Sequence, residues 1–300
     1  MIRLAGAPIS WGVCEVPGWG HQMSPARVLT EMRAAGLAAT EFGPAGFLPD
    51  DLAGRTRLLA GHGLDAVGGF VPVVLHRDDH DPVDDVRQAL AGFGTAGTLV
   101  LAAATGTDGY DTRPALDAAG WRTLLTNLTR VVGVAADSGV VATLHPHVGT
   151  MVERADEVDR VLSGSDVGLC LDTGHLMVGG ADPGRIARDA ARRIAHVHLK
   201  DVDDAMAGRV RAGELGYTEA VRQGMYRPLG RGDVDVAGIV GALTGVGYDG
   251  WYVLEQDTVL TAEPAPGAGP VDDVRASLAY LADLDAGVAT GTAGPRGDAP

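Results

Sequence analysis

Short apolar runs recur along the chain, separated by longer segments whose apolar residues fall at helical spacing. The runs are rich in Val, Leu and Ala and lack regular polar alternation, which is typical of strands buried on both faces of a parallel sheet. We count eight, namely RLAGAPIS, AATEFG, LDAVGGFVP, TLVLAAA, VVATLHP, VGLCLDT, AHVHLKD and WYVLEQD. Strands and helices alternating in this number predict an α/β fold, a (β/α)8 TIM barrel. A doubly wound sheet is the competing arrangement, but no GxGxxG turn follows the first strand.

Capping residues predict where helices begin and end. The segment SPARVLTEMRAAG indicates a helix with Ser24 as its N-cap, Pro25 in its first position and Gly36 at its end. The segment WRTLLTNLTRVVGVAADSG predicts another that ends at Gly139. After the eighth strand, TAEPAPGAGP indicates an extended connector and VDDVRASLAYLADLD a closing helix.

The same pattern predicts the domain organisation. We expect a single barrel domain over residues 1–285, with an insertion after the seventh strand at about 202–232. Residues 286–300 are expected to form an unstructured tail, because their Gly, Ala, Pro and Thr composition offers little apolar surface to bury.

Composition excludes some classes of partner. The formal net charge of −15 would repel a nucleic-acid backbone or an anionic membrane surface, since no Lys/Arg cluster offsets it. Cys14 and Cys170 lie far apart in apolar, strand-like contexts and are interpreted as reduced core thiols. With no signal peptide and no apolar run of membrane length, we expect a cytoplasmic protein that acts on a small molecule. A homo-oligomer remains open.

Ionisable side chains concentrate where the predicted strands end. Because the active site of a TIM barrel lies at the carboxyl ends of its strands, we expect these side chains to converge. They are Glu41 on the second strand, His145 and His147 on the fifth, Asp172 and His175 on the sixth, His198, Lys200 and Asp201 on the seventh, and Glu255 and Asp257 on the eighth. Carboxylates and imidazoles without thiolates predict a site for Mn²⁺, Co²⁺, Fe²⁺ or Zn²⁺ rather than a structural zinc site.

Side-chain alternation along the strands narrows the roles. His196, His198 and Lys200 are two residues apart and share one face. If that face is the barrel interior, His198 can bind a metal while Lys200 reaches the substrate, and His196 is interpreted as a buried, hydrogen-bonded core histidine. His145 and His147 also share a face, and one or both could be ligands.

Other candidates have two interpretations each. Trp11 and Trp19 are either packing residues or aromatic platforms for the apolar face of a sugar ring. Glu41 either pairs with an arginine at the barrel rim or takes part in the chemistry. Asp203 and Asp204 are interpreted as part of a solvated face.

Several longer segments resemble a known family. LDTGH, HVHLKD and LEQD together resemble the xylose-isomerase-like barrels, a superfamily of sugar isomerases, epimerases and endonuclease IV-type enzymes. Within it the chain is most similar to the inosose dehydratase family of inositol catabolism. That similarity is carried by APISWG, TEFGPAGFLPDD, HPHVGTMVE, LDTGHLMVGGADP and HVHLKDVDDAMAGRVRAGELGYTEAVRQGMYRPLGRGDVD, over about residues 5–285. The long segment after the seventh strand is the most specific part.

The resemblance implies one divalent metal ion held by four ligands. Three of the superfamily's ligand positions match Asp172, His198 and Glu255. The fourth is a Glu on strand five in the superfamily, where this chain has His145, which is the expected ligand, with His147 as the alternative. Sugar epimerases use that Glu as one of two opposed acid/base carboxylates, so the departure weakens an epimerase interpretation.

The resemblance also implies dehydration of a keto-cyclitol, 2-keto-myo-inositol (scyllo-inosose). Mn²⁺ or Co²⁺ is the expected cofactor, with Zn²⁺, Fe²⁺ or Mg²⁺ as alternatives; it would bind the ketone so that an α-proton is abstracted and the β-hydroxyl is eliminated. Lys200, with its pKa lowered, is expected as base or enolate stabiliser, and His175 or Glu41 as the acid. These three are not ranked. Trp11, His147 and Asp257 are the expected substrate contacts.

Two other functions remain as alternatives. A ketose isomerase or epimerase would use the same metal and enolate but return the proton instead of expelling water. A non-catalytic ligand-binding barrel is disfavoured, because a binder gains nothing from Lys and His beside a metal. The acidic charge disfavours an endonuclease.

Overall fold

A parallel nine-stranded sheet curls into a barrel in the computed structural model, which describes residues 2–290. The strands are β1 (Arg3–Gly6), β2 (Ala39–Thr40), β3 (Asp65–Ala66), β4 (Gly68–Val73), β5 (Thr98–Ala103), β6 (Val141–Leu144), β7 (Gly168–Asp172), β8 (Ile194–Leu199), β9 (Asp201–Val202), β10 (Tyr226–Arg227) and β11 (Trp251–Leu254). The barrel sheet has the order β3-β2-β1-β11-β8-β7-β6-β5-β4, and β9 and β10 form a separate antiparallel pair.

The two ends of this sheet meet in one interrupted strand. β3 pairs with β2 and β4 pairs with β5, and only Val67 separates β3 from β4. The Val67 N–H donates to Thr40 O at 3.0 Å, and Val67 O accepts from the Gly97 N–H at 3.1 Å. The backbones come so close that a Cβ on Gly68 would lie 2.1 Å from Thr98 O. β3 and β4 are therefore the third of eight barrel strands, and the predicted TIM barrel is confirmed.

Helices follow most of the barrel strands, as expected of βα units. They are α1 (Pro25–Ala35), α2 (Leu52–His62), α3 (Pro82–Leu90), α4 (Ala118–Asp137), α5 (Ala155–Gly164), α6 (Thr173–Val178), α7 (Pro183–Asp189), α8 (Asp204–Arg211), α9 (Tyr217–Arg222), α10 (Val236–Gly245) and α11 (Pro270–Thr290). Short 3-10 turns occupy Pro8–Trp11 and Ala191–Arg193. Among the described helices, none combines the length and the apolar character that a membrane span requires.

The predicted helix ends agree with the structure in part. Helix α1 begins at Pro25 and ends before Gly36, whose φ of 103° only glycine adopts readily, but the Ser24 side chain makes no capping hydrogen bond. Helix α4 begins earlier than predicted, because the Asp117 carboxylate accepts the Gly120 N–H at 2.8 Å. Helix α11 continues past the predicted boundary at 285 to Thr290, and residues 291–300 of the expected tail lie outside the described residues.

The two cysteines have different surroundings. Cys170 on β7 is buried, as predicted for a core thiol, and both cysteines are free. Cys14 lies instead in the loop after the first 3-10 turn and is only partly buried, so the strand-like context predicted for it is wrong. The apolar run that contains Cys14 forms a loop that packs against the barrel, and it does not form a strand.

The insertion after β8 is clamped at its base by one buried carboxylate. Asp201 Oδ2 accepts the N–H groups of Gly230 and Gly232, both at 2.8 Å, and its Oδ1 accepts that of Val234 at 3.0 Å. A Cβ on Gly232 would lie 2.3 Å from Asp201 Oδ1, so the close approach requires glycine. The chain between these points carries α8 and α9 across the carboxyl end of the barrel.

Candidate metal and catalytic site

Nine of the ten ionisable side chains predicted at the strand ends converge in one buried cluster, whereas Asp201 binds the backbone of the insertion instead. Each is at most 7% exposed although all carry polar or charged groups. The members are Glu41, His145, His147, Asp172, His175, His198, Lys200, Glu255 and Asp257. Most of them line a cavity of about 590 Å³, counting its open mouth, at the carboxyl end of the barrel. Such burial of charge is expensive unless the groups bind one another or a cation, which marks a functional site.

Asp172, His198 and Glu255 offer a set of donors that fits a divalent metal. Their candidate ligand atoms all lie within 4.8 Å of one another. His198 Nδ1 lies 3.5 Å from Asp172 Oδ2 and 3.2 Å from Glu255 Oε2, yet this buried nitrogen has no hydrogen-bond partner among the described residues. Burial alone would lower the pKa of His198, but the acidic groups around it hold that pKa well above its usual value, so without a metal the imidazole is protonated. A divalent cation would take the place of that proton between the two carboxylates.

Glu41 fixes the orientation of His198. Glu41 Oε1 accepts from His198 Nε2 at 2.9 Å and from His196 Nε2 at 2.7 Å. Because a carboxylate only accepts, His198 carries its proton on Nε2 when neutral and presents Nδ1 as a ligand. Burial alone would raise the pKa of Glu41, but the two imidazoles hold it below its usual value. The predicted arginine partner at the rim is therefore wrong, and His196 is the buried, hydrogen-bonded histidine that was predicted.

The geometry favours His145 over His147 as a fourth ligand. His145 Nε2 lies 3.2 Å from Asp172 Oδ2, and the His145 ring centroid is 4.8 Å from that of His198. His147 instead donates from Nδ1 to the Val148 carbonyl at 2.7 Å, and its ring lies against His175 with centroids 3.7 Å apart. His147 still lines the cavity, where it can contact a substrate.

Lys200, the sole lysine in the sequence, is surrounded by carboxylates. Its Nζ lies 2.7 Å from Asp257 Oδ1, 3.0 Å from Glu255 Oε2 and 3.4 Å from Asp172 Oδ2. Burial alone would lower the pKa of Lys200, but these carboxylates outweigh it and hold the pKa well above its usual value. The lowered pKa predicted for Lys200 is therefore wrong, and the side chain is an ammonium that can donate a proton.

His175 supplies the complementary acceptor. Its Nε2 lies 3.0 Å from Lys200 Nζ. Burial, with His147 and Lys200 beside it, holds the pKa of His175 well below its usual value, so the imidazole is neutral. Asp172 accepts the His175 N–H at 2.7 Å as the N-cap of α6, which brings the imidazole back over β7. A proton donor and a proton acceptor thus lie side by side above the metal-type residues.

Trp11 does not take the place predicted for it. The 3-10 turn directs its ring beneath α1, where it is fully buried and Nε1 donates to Glu31 Oε2 at 2.9 Å. Trp11 is not among the described residues that line the cavity, whereas Trp19 is, with its Nε1 bonded to Thr258 O at 2.9 Å. Asp257 lines the cavity as predicted.

Sequence reasoning missed two tyrosines that the insertion brings to the site. Tyr217 and Tyr226 are both 2% exposed and lie beside Asp257 and Lys200. The available signal was an aromatic residue in each of GELGYTEA and GMYRP, within an otherwise polar insertion. Thr173 was also missed; its hydroxyl donates to Lys200 O at 2.6 Å and accepts the Lys200 N–H at 2.8 Å, which joins the ends of β7 and β8.

Similarity to known proteins agrees with this fold. The rhizopine catabolism protein MocC of Rhizobium meliloti is 34% identical over 267 residues, which cover 85% of this chain and 82% of that protein. An inosose dehydratase of Geobacillus kaustophilus is 30% identical over 273 residues, covering 85% and 87%. The resemblance to inosose dehydratases is thereby confirmed.

Solved structures share the fold at lower identity. An L-ribulose 3-epimerase has a TM-score of 0.69 at 18% identity and covers 100% of both chains. The probable 3-DHS dehydratase AsbF of Bacillus anthracis has a TM-score of 0.66 at 15% identity, covering 94% of this chain and 99% of that one. A sequence model of the xylose isomerase-like TIM barrel matches residues 31–284. The chain belongs to the xylose isomerase-like TIM-barrel family.

Proposed function

We propose that the protein is a divalent-metal-dependent hydro-lyase of inositol catabolism that removes water from a keto-cyclitol, with 2-keto-myo-inositol (scyllo-inosose) as substrate. The observation that carries the proposal is the contact of Lys200 Nζ with His175 Nε2, 3.0 Å apart, beside Asp172, His198 and Glu255. The inosose dehydratase and rhizopine catabolism relatives support a cyclitol as the substrate class.

The metal would be Mn²⁺ or Co²⁺, held by His145, Asp172, His198 and Glu255. When bound, it supplies Lewis-acid polarisation of the substrate ketone, which acidifies the adjacent C–H bond. Cys170 lies close to two of these residues, and without a metal burial raises the pKa of its thiol to about 11. Mixed imidazole and carboxylate donors suit these ions better than a thiolate site would.

The acid and base follow from the hydrogen-bonding pair. His175 Nε2 first takes a proton from Lys200 Nζ, and the resulting amine, which lines the cavity, takes the proton from the carbon next to the ketone and gives it to the departing β-hydroxyl, which leaves as water. His175 then holds one proton more and Lys200 one fewer. A proton transfer across the 3.0 Å between them restores both groups. Glu41, engaged by two imidazoles, is proposed to orient His198 rather than to protonate the leaving group.

The cavity suits a small polar ring with apolar faces. Trp19, Phe70 and Tyr110 supply aromatic surface to its walls, on which the C–H face of a ring can stack. His147 and Asp257 supply polar groups for ring hydroxyls. We propose these residues as the substrate contacts.

Incubation of the metal-loaded protein with a panel of inososes and ketohexoses tests the substrate class, with mass spectrometry of the products. We expect loss of one water from an inosose and no change in the ketohexoses. Incorporation of solvent deuterium into a ketose without water loss would favour an isomerase or epimerase instead. Binding of an inosose without any conversion would favour a ligand-binding barrel.

A further inference from the structure

The insertion after β8 places two tyrosine hydroxyls behind the catalytic pair. Tyr217 begins α9 and Tyr226 begins β10, and their hydroxyl oxygens lie 3.1 Å apart. Neither residue is among the described residues that line the cavity. Any effect of these hydroxyls on a bound substrate must therefore pass through the residues that they contact.

On one side the tyrosines hold Asp257. Tyr217 donates its hydroxyl proton to Asp257 Oδ2 at 2.8 Å, and Asp257 Oδ1 accepts from Lys200 Nζ at 2.7 Å. Burial and the charge of Asp257 raise the pKa of Tyr217, so its hydroxyl keeps the proton that it donates. Because that proton is used, the Tyr217 oxygen must accept from Tyr226.

On the other side the tyrosines reach His175. Tyr226 Oη lies 3.4 Å from His175 Nδ1. Since Tyr226 gives its own proton to Tyr217, it accepts here, from a proton on Nδ1. The Val148 N–H approaches the same nitrogen at the longer distance of 3.5 Å, and this contact competes by favouring the other tautomer. A proton on Nδ1 leaves the lone pair of the neutral imidazole on Nε2, where Lys200 Nζ donates at 3.0 Å. In the closed ring, His175 then donates to Tyr226, Tyr226 to Tyr217 and Tyr217 to Asp257, while Lys200 donates to both Asp257 and His175.

We propose that Tyr217 and Tyr226 are positioning residues. They hold His175 in the tautomer that has no proton on Nε2, and they hold Asp257 against Lys200. The inference rests on the proposed function for the catalytic roles of His175 and Lys200. It gives the insertion a role in the chemical step rather than in binding the substrate.

The tyrosines are themselves held by the backbone around them. Asp111 accepts the Thr218 N–H at 3.1 Å and the Thr218 hydroxyl at 2.6 Å, which fixes the first turn of α9. A Cβ on Gly174 would lie 2.8 Å from the Tyr226 ring and 2.7 Å from Lys200 Cβ, so α6 packs directly on both. Removal of one hydroxyl should therefore leave the aromatic ring in place.

The test compares Tyr217→Phe and Tyr226→Phe with Tyr252→Phe. Tyr252 is a matched control, because it is also buried but its hydroxyl has no hydrogen-bond partner among the described residues. We expect kcat for scyllo-inosose to fall about tenfold or more in both site variants, with KM, bound metal and melting temperature equal to those of the control. The double variant should be little worse than either single one, because both hydroxyls belong to one chain of bonds.

A second readout does not depend on turnover. In protein labelled with ¹⁵N-histidine and loaded with diamagnetic Zn²⁺, we expect the wild-type His175 shifts of an Nδ1–H tautomer, assigned by their loss in His175→Gln. Tyr226→Phe removes the acceptor of the Nδ1–H bond and should change the His175 shifts toward those of the other tautomer, whereas Tyr252→Phe should leave them unchanged.

Unchanged His175 shifts in Tyr226→Phe would overturn the positioning role, whichever reaction the protein catalyses. A fall in kcat matched by an equal loss of metal or of thermal stability would also overturn it, in favour of a structural role. The predicted shifts in a wild-type protein that fails to dehydrate any inosose would leave the positioning role intact and overturn the proposed function alone.

Discussion

Lys200 Nζ and His175 Nε2 lie 3.0 Å apart and are almost fully buried. Lys200 directly follows β8, and His175 lies in the first turn of α6, which directly follows β7. The strand pairing explains the contact, because Asp172 of β7 is in register with His198 of β8 and the two side chains follow those residues. Carboxylates keep Lys200 protonated, whereas burial keeps His175 neutral. One hydrogen bond thus joins an acid to a base.

Replacement of Lys200 by Met tests the proton donor. The variant keeps much of the side-chain volume but loses the ammonium, and removal of one general acid or base costs about a hundredfold to ten-thousandfold in rate. We expect turnover of an inosose at least about a hundredfold slower, with the metal content retained. Near-normal dehydration would transfer the acid role to another residue.

Removal of a carboxylate ligand tests the metal site. We expect Asp172→Ala and Glu255→Ala to lose the metal, because each removes one of four ligands and leaves the others without their geometric constraint. Asp159→Ala is the matched control, since its carboxylate is 57% exposed and pairs only at the surface. Elemental analysis after desalting is the measurement, and a full equivalent of metal in both site variants would place the ion elsewhere.

Glu41→Gln separates an orienting role from an acid role. The amide is similar in size but holds the two imidazoles more weakly, and loss of such an outer partner typically costs about 10–100-fold in metal affinity or activity. We expect weaker metal binding and activity that returns when excess metal is added. If activity stays low at saturating metal, Glu41 takes part in proton transfer.

Asp201→Ala tests whether the insertion depends on its clamp. The change leaves buried backbone N–H groups of Gly230, Gly232 and Val234 without their acceptor, at about 1–3 kcal/mol for each group that stays unsatisfied. We expect a lower free energy of unfolding in urea together with a lower kcat. An unchanged free energy of unfolding would show that other contacts hold the end of the insertion, at residues 230–234, against the barrel.

Because Lys200 is the sole lysine in the sequence, selective ¹⁵N-lysine labelling gives one side-chain signal to follow. In the metal-free protein the raised pKa predicts an ammonium signal that persists above pH 10.5, the ordinary value for lysine. Because the pKa of Lys200 is higher in the folded than in the unfolded protein, its ammonium stabilises the fold below pH 10.5. This stabilisation is lost as the pH rises through the folded pKa. Asp257→Asn should lower the midpoint. A wild-type titration midpoint below pH 10.5 would contradict the conclusion that Asp172, Glu255 and Asp257 hold Lys200 protonated.

The barrel and most of the site could be predicted from the sequence, for a local reason. Strand-end positions such as Asp172 and Glu255 are fixed by short runs of adjacent residues, and the topology of a parallel barrel brings those ends together. The alternation in AHVHLKD predicted that His198 and Lys200 share one face, without any long-range information.

What could not be predicted depends on contacts between distant segments. The direction of the Trp11 ring is set by the 3-10 turn and by Glu31 on α1, neither of which alternation describes. The pKa of Lys200 depends on carboxylates that two separate strands, β7 and β11, bring within a few ångströms. The tyrosines enter the site on an insertion whose return to the barrel Asp201 clamps, a contact that local patterns do not encode.

The most direct test of the proposed function is a mass spectrum of scyllo-inosose after incubation with the metal-loaded wild-type protein, beside the same reaction with Asp172→Ala. We predict that the wild type converts the inosose to a product lighter by one water and that the variant leaves it intact. An intact inosose in the wild-type reaction, or one that gains solvent deuterium without losing water, would contradict the assignment as a keto-cyclitol dehydratase.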